Sequence, residues 1–297
     1  MDICRFRTRI SIAGTALSNA GRYALLTVEQ RSCWDENGYV IIPRAVPESH
    51  LSATIAAIAA FLDLDPDDPA TWYEGPPRRL GFVEMYHHQS MWDNRQHPRV
   101  YEAFRSLWEE EKLWVSIDRA NMTPPEREGT AHGFNEPLIH WDIDTSDHPG
   151  RFKVQGVLYL TDTAGNQGGF QCVPGFHRQF FEWVKTQPAD RDPWRPDLGG
   201  LTPETIPGKA GDLLIWHSLL PHGNSRNTSD RPRWCQYISA SPSREQDESM
   251  RQHRVSLWRD RMHPDVFPGD PRGVERRDGP ARLTALGRRL LGLDRWE

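Results

Sequence analysis

From Leu113 to Ile238 the sequence is cut into short apolar runs by Gly, Pro, Asn and Asp, and this punctuation excludes most folds. Leu113–Met122 is stopped by Pro124 and Pro125, and Lys153–Leu160 runs into the turn Asp162–Gly169. Phe170–Val173, Gly211–Trp216 and Arg233–Ile238 follow in the same manner. Runs of this length bounded by turn residues predict strands joined antiparallel. With 24 Pro and 23 Gly, turns are abundant and a helical bundle is excluded. The expected fold is mainly β with flanking helices, closed as a double-stranded β-helix, a jelly roll of the cupin-like kind.

Helices come first. Thr27 is an N-cap and Gln30 completes a capping box, while Gly38 sits where a left-handed C-cap belongs. The strand Tyr39–Ile42 follows, and then a helix from Pro47 to Leu62 with an alanine-rich apolar stripe. A third helix is predicted over Pro98–Lys112, and a basic amphipathic helix through Leu283–Leu291, packed on the sheet. No repeat or linker divides the chain. The reading is residues 1–26 as a flexible N-terminal extension and 27–297 as a single domain with helical N-terminal support and a C-terminal helix.

Composition narrows the function. A net charge of −5 supplies no basic field for nucleic acid, and no apolar run approaches a membrane span. The four cysteines, Cys4, Cys33, Cys172 and Cys235, are scattered without a CxxC pair. They read as free thiols of a cytoplasmic protein. The expected partner is a small-molecule substrate, and oligomeric state is not legible.

The chemistry centres on Leu138-Ile139-His140-Trp141-Asp142-Ile143-Asp144. On a strand, side chains two apart share a face. His140 and Asp142 would then project together, with Trp141 facing away. That is two thirds of a facial site in which two His and one carboxylate hold Fe(II) and leave positions open. By itself His-x-Asp also reads as a polar strand end. His222, in a loop after a buried strand, is the candidate third ligand, with a solvated loop His as its alternative. Eleven residues later Arg233 opens a strand on which Arg233, Cys235 and Tyr237 share a face. A guanidinium aimed into a barrel needs an anion, and a carboxylate is its best bidentate partner. Arg231, beside a proline, reads as solvated.

Four stretches carry a family resemblance: LTVEQRSCWDENGYVIIP, HWD, GGFQCVPGFHR and GDLLIWHSLLPHGNSRNTSDRPRW. From about Thr27 to about Ile238 the chain resembles the phytanoyl-CoA dioxygenase family of Fe(II)/2-oxoglutarate oxygenases. The resemblance implies iron ligands at His140, Asp142 and His222, and Arg233 on the far carboxylate of 2-oxoglutarate, with dioxygen as the oxidant. Two positions depart from the family pattern. Where Ser or Thr commonly follows the distal His by two, this chain has Asn224, with Ser225 next, and which of them donates stays open. Before the Pro pair stands Thr123, with Asn121 on the same face, as further cosubstrate-binding candidates. Related halogenases replace the carboxylate with a small residue, so Asp142 implies hydroxylation, desaturation or ring formation rather than halogenation. The implied activity is oxidation, hydroxylation first, of a C–H bond in a small organic molecule, in keeping with secondary metabolism. A cupin-type metalloenzyme that does not use 2-oxoglutarate is the alternative.

Other features are secondary. Adjacent His87 and His88 cannot both face one metal. His177 reads as structural at a strand end, His217 as a neighbour of the centre, and His132 and His148 as solvated. The aromatic-rich segment 72–98 reads either as a substrate entrance or as core packing. The Trp- and Pro-rich insertion 178–208 is expected to shape the pocket.

Overall fold

The computed structural model describes residues 26–75, 78–128, 139–146 and 152–297. In order these form α1 (Val28–Asn37), β1 (Tyr39–Ile42), α2 (Glu48–Leu62), β2 (Phe82–Val83), α3 (Gln89–Arg95) and α4 (Pro98–Trp108). Then come β3 (Leu113–Val115), β4 (Ala120–Thr123), β5 (Val154–Tyr159), β6 (Phe170–Cys172), α5 (Phe176–Val184) and β7 (Glu204–Thr205). The remainder is β8 (Leu213–His217), β9 (His222–Asn224), β10 (Arg233–Tyr237), β11 (Ala240–Pro242), α6 (Glu248–Arg259) and α7 (Ala285–Leu291).

All strand pairs among the described residues are antiparallel. A six-stranded sheet runs β1-β8-β5-β10-β4-β2, a three-stranded sheet runs β7-β6-β9, and β11 pairs with β3. Strand alternation sorts the core into two layers. Val154, Leu158, Leu213, Ile215 and Trp234 point outward and pack with α2, α3, α4, α6 and α7. Their neighbours Val157, Tyr159, Leu214, Trp216 and Cys235 point inward and pack with Phe170, Cys172, Trp141 and Phe176. The large sheet is thus buried on both faces, and its inner face meets the small sheet.

The local signals for α1 hold. Gln30 N donates to Thr27 Oγ1 at 3.2 Å, and Thr27 N donates back to Gln30 Oε1 at 3.0 Å. Gly38 is left-handed at φ 76°, and a Cβ there would lie 2.5 Å from His177 Nδ1. Elsewhere the structure corrects the expectation. The helix from Pro98 stops at Trp108, because Glu109 turns left-handed at φ 52°. Leu113–Met122 is two strands, not one, and they lie in different sheets across the polar break at Ser116–Arg119. The described residues 139–144 form no regular strand: His140 makes an isolated bridge to His222 and Asp142 sits in a bend. The insertion opens with a helix, since Phe176 and Phe180 recur at one-turn spacing and both are buried. His177 therefore lies in a helix rather than at a strand end.

The segment 72–98 is mostly core, but Leu80 and Phe82 within it line the cavity. Trp72, Tyr86, His87, Trp92, Asn94 and Arg95 are all buried. Cys172 and Cys235 are free and buried, whereas Cys33 is disulfide-bonded, so it is not the free thiol expected. Cys4 lies outside the described residues, as do His132, His148, Leu138 and residues 1–25. No helix among the described residues is long and apolar enough to cross a membrane.

His87 gives the fold an acid sensitivity. Its Nε2–H donates to Met262 O at 2.9 Å, and its Nδ1 accepts from Trp92 Nε1 at 3.4 Å. Both nitrogens are committed in the neutral form, and burial pushes the group down to about 3. The unfolded chain takes up this proton near pH 6.5 and the folded chain does not. Stability is therefore full above about pH 6.5 and falls as pH drops toward 3, by up to about 1.4 kcal/mol per pH unit for this group. We expect the thermal midpoint to fall between pH 7.5 and pH 5, and the slope to flatten in His87→Gln. Equal midpoints at the two pH values would exclude this role.

Candidate active site

Two reciprocal main-chain bonds build the centre. His140 N donates to His222 O at 2.9 Å, and His222 N donates to His140 O at 3.0 Å. The bridge sets one imidazole beside the other, with ring centroids 4.8 Å apart. The bend after Trp141 then returns Asp142 between them. His140 Nε2 lies 3.3 Å from Asp142 Oδ1, and His222 Nε2 lies 3.2 Å from Asp142 Oδ2. One ligand atom from each residue falls within 4.8 Å of the other two, and no other such grouping occurs among the described residues. His222 Nδ1–H donates to Leu220 O at 2.9 Å. This bond fixes the tautomer and turns the Nε2 lone pair toward the shared point. Two imidazole nitrogens and a carboxylate suit an iron(II)-type ion that keeps open positions.

The carboxylate is held as an anion. Burial pushes the Asp142 carboxyl up, but hydrogen bonding to His140 and His222 outweighs it and keeps the group far below the usual carboxylate range. Gln155 Nε2 donates to Asp142 Oδ2 at 2.7 Å. Gln155 is absent from the sequence expectation. Its signal is a polar residue in an otherwise apolar run, two before Val157 on the inner face.

The bend is clamped from behind by the insertion. Trp141 N donates to Trp194 O at 2.9 Å, and Thr145 N donates to Pro193 O at 3.3 Å. Arg191 Nη1 donates to Thr145 Oγ1 at 3.0 Å, and its Nη2 donates to Thr145 O. The Trp141 ring is turned away from the ligands, as expected, and packs on Phe176, Phe180 and Trp183. No residue of 178–208 lines the cavity. The insertion supports the ligand segment instead of shaping the pocket.

The cavity in front of the triad has a volume of about 370 Å³ and lies between the two sheets. At its wall is Arg233, fully buried, with no hydrogen-bond partner on any of its three guanidinium nitrogens. Burial disfavours its charge, but a guanidinium keeps its proton at any working pH, so it stays a cation. Arg231 is exposed, as expected for the solvated alternative. Asn224 lines the cavity and donates to the Tyr237 hydroxyl at 3.2 Å. Ser225 does not line it, and its buried Oγ has no partner. Asn121 and Thr123 share the sheet face of Arg233 but are spent on structure. Thr123 Oγ1 donates to Asn121 Oδ1 at 2.9 Å, Asn121 Nδ2 donates to Leu80 O at 2.8 Å, and neither reaches the cavity.

The remaining wall is Leu80, Phe82, Asp118, Arg119, Val157, Phe170, Trp216, Ser239 and Phe267. These come from seven separate stretches, so no local motif announces them. His217 accepts from Leu219 N at 3.0 Å and stacks on Phe152, away from the cavity. His88 caps α3.

The family model described as phytanoyl-CoA dioxygenase matches residues 34–235. A protein of Dictyostelium discoideum named putative phytanoyl-CoA dioxygenase is 23% identical over 275 residues, covering 74% of this chain and 77% of that one. A solved hypothetical protein of Escherichia coli is 17% identical with a TM-score of 0.68, covering 91% of this chain and 82% of its own. The epimerase SnoN, solved with Fe3+, alpha ketoglutarate and nogalamycin RO, is 16% identical with a TM-score of 0.51, covering 86% and 94%.

The clamp and the buried arginine each yield an expectation. Arg191→Ala should weaken Co(II) affinity, read by visible absorption, by roughly tenfold or more, the size found when supports of metal ligands are removed. Unchanged affinity would take the clamp out of the site's support. Arg233→Met removes an unpaired buried cation and should raise the stability of the cosubstrate-free protein by roughly 1–3 kcal/mol in denaturant melts. A loss of stability would show that Arg233 is satisfied within the fold.

Proposed function

The chain belongs to the phytanoyl-CoA dioxygenase family, and from that premise we propose that it oxidises a C–H bond of a small organic molecule, hydroxylation being the first outcome. Membership makes it an enzyme of the Fe(II)/2-oxoglutarate-dependent dioxygenase class. His140, Asp142 and His222 hold the iron. Arg233 takes the far carboxylate of 2-oxoglutarate as a bidentate pair, with the Asn224 amide beside it. When bound, iron, 2-oxoglutarate and dioxygen supply an oxidising equivalent that breaks a C–H bond while the cosubstrate is converted to succinate and carbon dioxide.

The chain's own residues do the rest. Gln155 and the Leu220 carbonyl orient two of the three ligands. Phe170 and Trp216, packed against His222 at 6.0 and 5.1 Å between ring centroids, keep water from the reacting face. Leu80, Phe82 and Val157 supply an apolar wall for a carbon frame. Asp142 occupies the carboxylate position, which favours oxygen insertion or hydrogen removal over halogenation. The two sheets facing across the cavity fit the halves of a double-stranded β-helix. Residues 27–297 read as one domain, because Leu290 and Leu291 return to the core and Phe267 to the cavity.

The observation that carries the reading is the unpaired, fully buried Arg233 in the same cavity as the triad. A cupin-type enzyme without the cosubstrate has no use for a buried cation there. The test is succinate release with a metabolite panel, alongside the visible band that forms on anaerobic addition of Fe(II) and 2-oxoglutarate. Asp142→Ala should abolish both signals in a folded protein. Arg233→Ala should weaken 2-oxoglutarate binding roughly a hundredfold or more, the worth of two charge-assisted hydrogen bonds. Wild-type succinate output in either variant would sink the assignment.

A further inference from the structure

Four acidic or basic side chains line the cavity: Asp142, Arg233, Arg119 and Asp118. The first two belong to the centre, and Arg119 is already matched. Its guanidinium lies between the rings of Phe82 and Phe267, 3.8 and 4.1 Å from their centroids. Its Nη1 donates to Glu84 at 3.0 Å, and the Tyr86 hydroxyl holds Glu84 from the other side.

Asp118 is placed differently. Its Oδ1 accepts from the main-chain N–H of Arg119 at 2.7 Å, and Arg119 Nε stands 4.0 Å from the same oxygen. Among the described residues no hydrogen bond reaches its other carboxylate oxygen. Buried Arg95 touches this residue only through the main-chain carbonyl, to which Nη2 donates at 2.5 Å. The side chain keeps 26% of its exposure, and it lines the cavity. Burial pushes its carboxyl up and outweighs the Arg119 N–H and the Arg119 and Arg95 charges, which favour the anion, so the anion is held at a cost.

Charge accounting inside the site gives the complement. Iron(II), Asp142, dianionic 2-oxoglutarate and Arg233 together carry no net charge, and Arg119 and Glu84 cancel. Asp118 is shared with Arg119 at 4.0 Å and has Arg95 behind its main chain, but among the described residues its second carboxylate oxygen is the acceptor on the cavity wall that no hydrogen bond reaches. We propose that Asp118 is the substrate-recognition carboxylate, and that the substrate is a small organic cation, an ammonium or amidinium, on an apolar frame. The nitrogen sits on Asp118 while the frame lies along Leu80, Phe82 and Phe170 toward the triad. An anionic substrate is opposed by Asp118 and Asp142 together. The inference rests on the oxygenase reading above, since it assumes a loaded centre. Its competitor is a purely structural Asp118, a counter-ion for buried Arg95.

The test uses the full chain loaded anaerobically with Co(II) and 2-oxoglutarate. Calorimetry compares butylamine, hexylamine and cyclohexylamine with their alcohol and carboxylate counterparts. At least one amine should bind about tenfold or more tighter than its alcohol, the scale of one charge-assisted hydrogen bond. Asp118→Asn should remove that preference and Asp118→Glu should retain part of it. Equal binding of amines and alcohols by the wild type overturns the proposal, and so does an Asp118→Asn protein that keeps the preference. If Asp118→Asn does not fold, the wild-type ratio alone decides. Failure of 2-oxoglutarate to bind in the same titration would count against the oxygenase reading, separately from the amine result.

Discussion

The centre depends on one pair of main-chain hydrogen bonds, those between His140 and His222. They join a segment with no strand neighbours of its own to the edge of the three-stranded sheet. Without them two imidazoles 82 positions apart in the chain have no reason to share a point in space. With them, only Asp142 remains to be placed, and a bend one residue later places it. Side-chain hydrogen bonds alone would be a weaker device, because each ligand would lose rotamer freedom separately. The backbone bridge fixes two ligands at once, and the Leu220 carbonyl and Gln155 amide then fix ring tautomer and carboxylate.

The second constraint is alternation on β10. Arg233, Cys235 and Tyr237 face inward while Trp234 and Gln236 face the helices. The same period that buries Cys235 against Tyr159 delivers a guanidinium into the site with nothing to satisfy it. A fold has little to gain from such a residue, since a buried unpaired cation weakens it. An anion on the cavity side would offset that cost. Gln236 shows the contrast. It is equally buried but donates to Met91 O at 3.0 Å and accepts from Asn94 Nδ2 at 2.8 Å, and it asks for no ligand.

The sequence made the ligands legible for a physical reason. Metal ligands must be particular residue types, and His140, Asp142, His222 and Arg233 stand in or beside short apolar runs that declare their own period. The bend at Asp142 was not legible, because the residues that clamp it lie about 50 positions away in an insertion whose composition suggests only a pocket wall. Asn121 and Thr123 were misplaced for a related reason. Strand parity puts them on the correct face, but parity does not reveal that the Leu80 carbonyl has taken the amide. Segment 72–98 shows that dense aromatic and cationic residues divide between core and site, since only Leu80 and Phe82 of its described residues line the cavity. Arg95 is buried there with hydrogen bonds to the Tyr86 and Asp118 carbonyls.

The boundary of the family match separates two kinds of residue. His140, Asp142, His222 and Arg233 all lie within 34–235, whereas Phe267 lies beyond it and still lines the cavity. Phe267 is brought there by Glu275, which accepts from the main-chain N–H groups of Tyr86 and His87 and pairs with Arg261. These contacts pin the C-terminal segment against the chain that carries Phe82 and Glu84. The wall Phe82–Arg119–Phe267 is therefore assembled from both sides of that boundary, and Asp118 sits beside it. Oxidation chemistry resides in the shared part of the chain. The C-terminal segment adds Phe267 to the cavity wall, and a change at Glu275 would reach that wall without touching the triad.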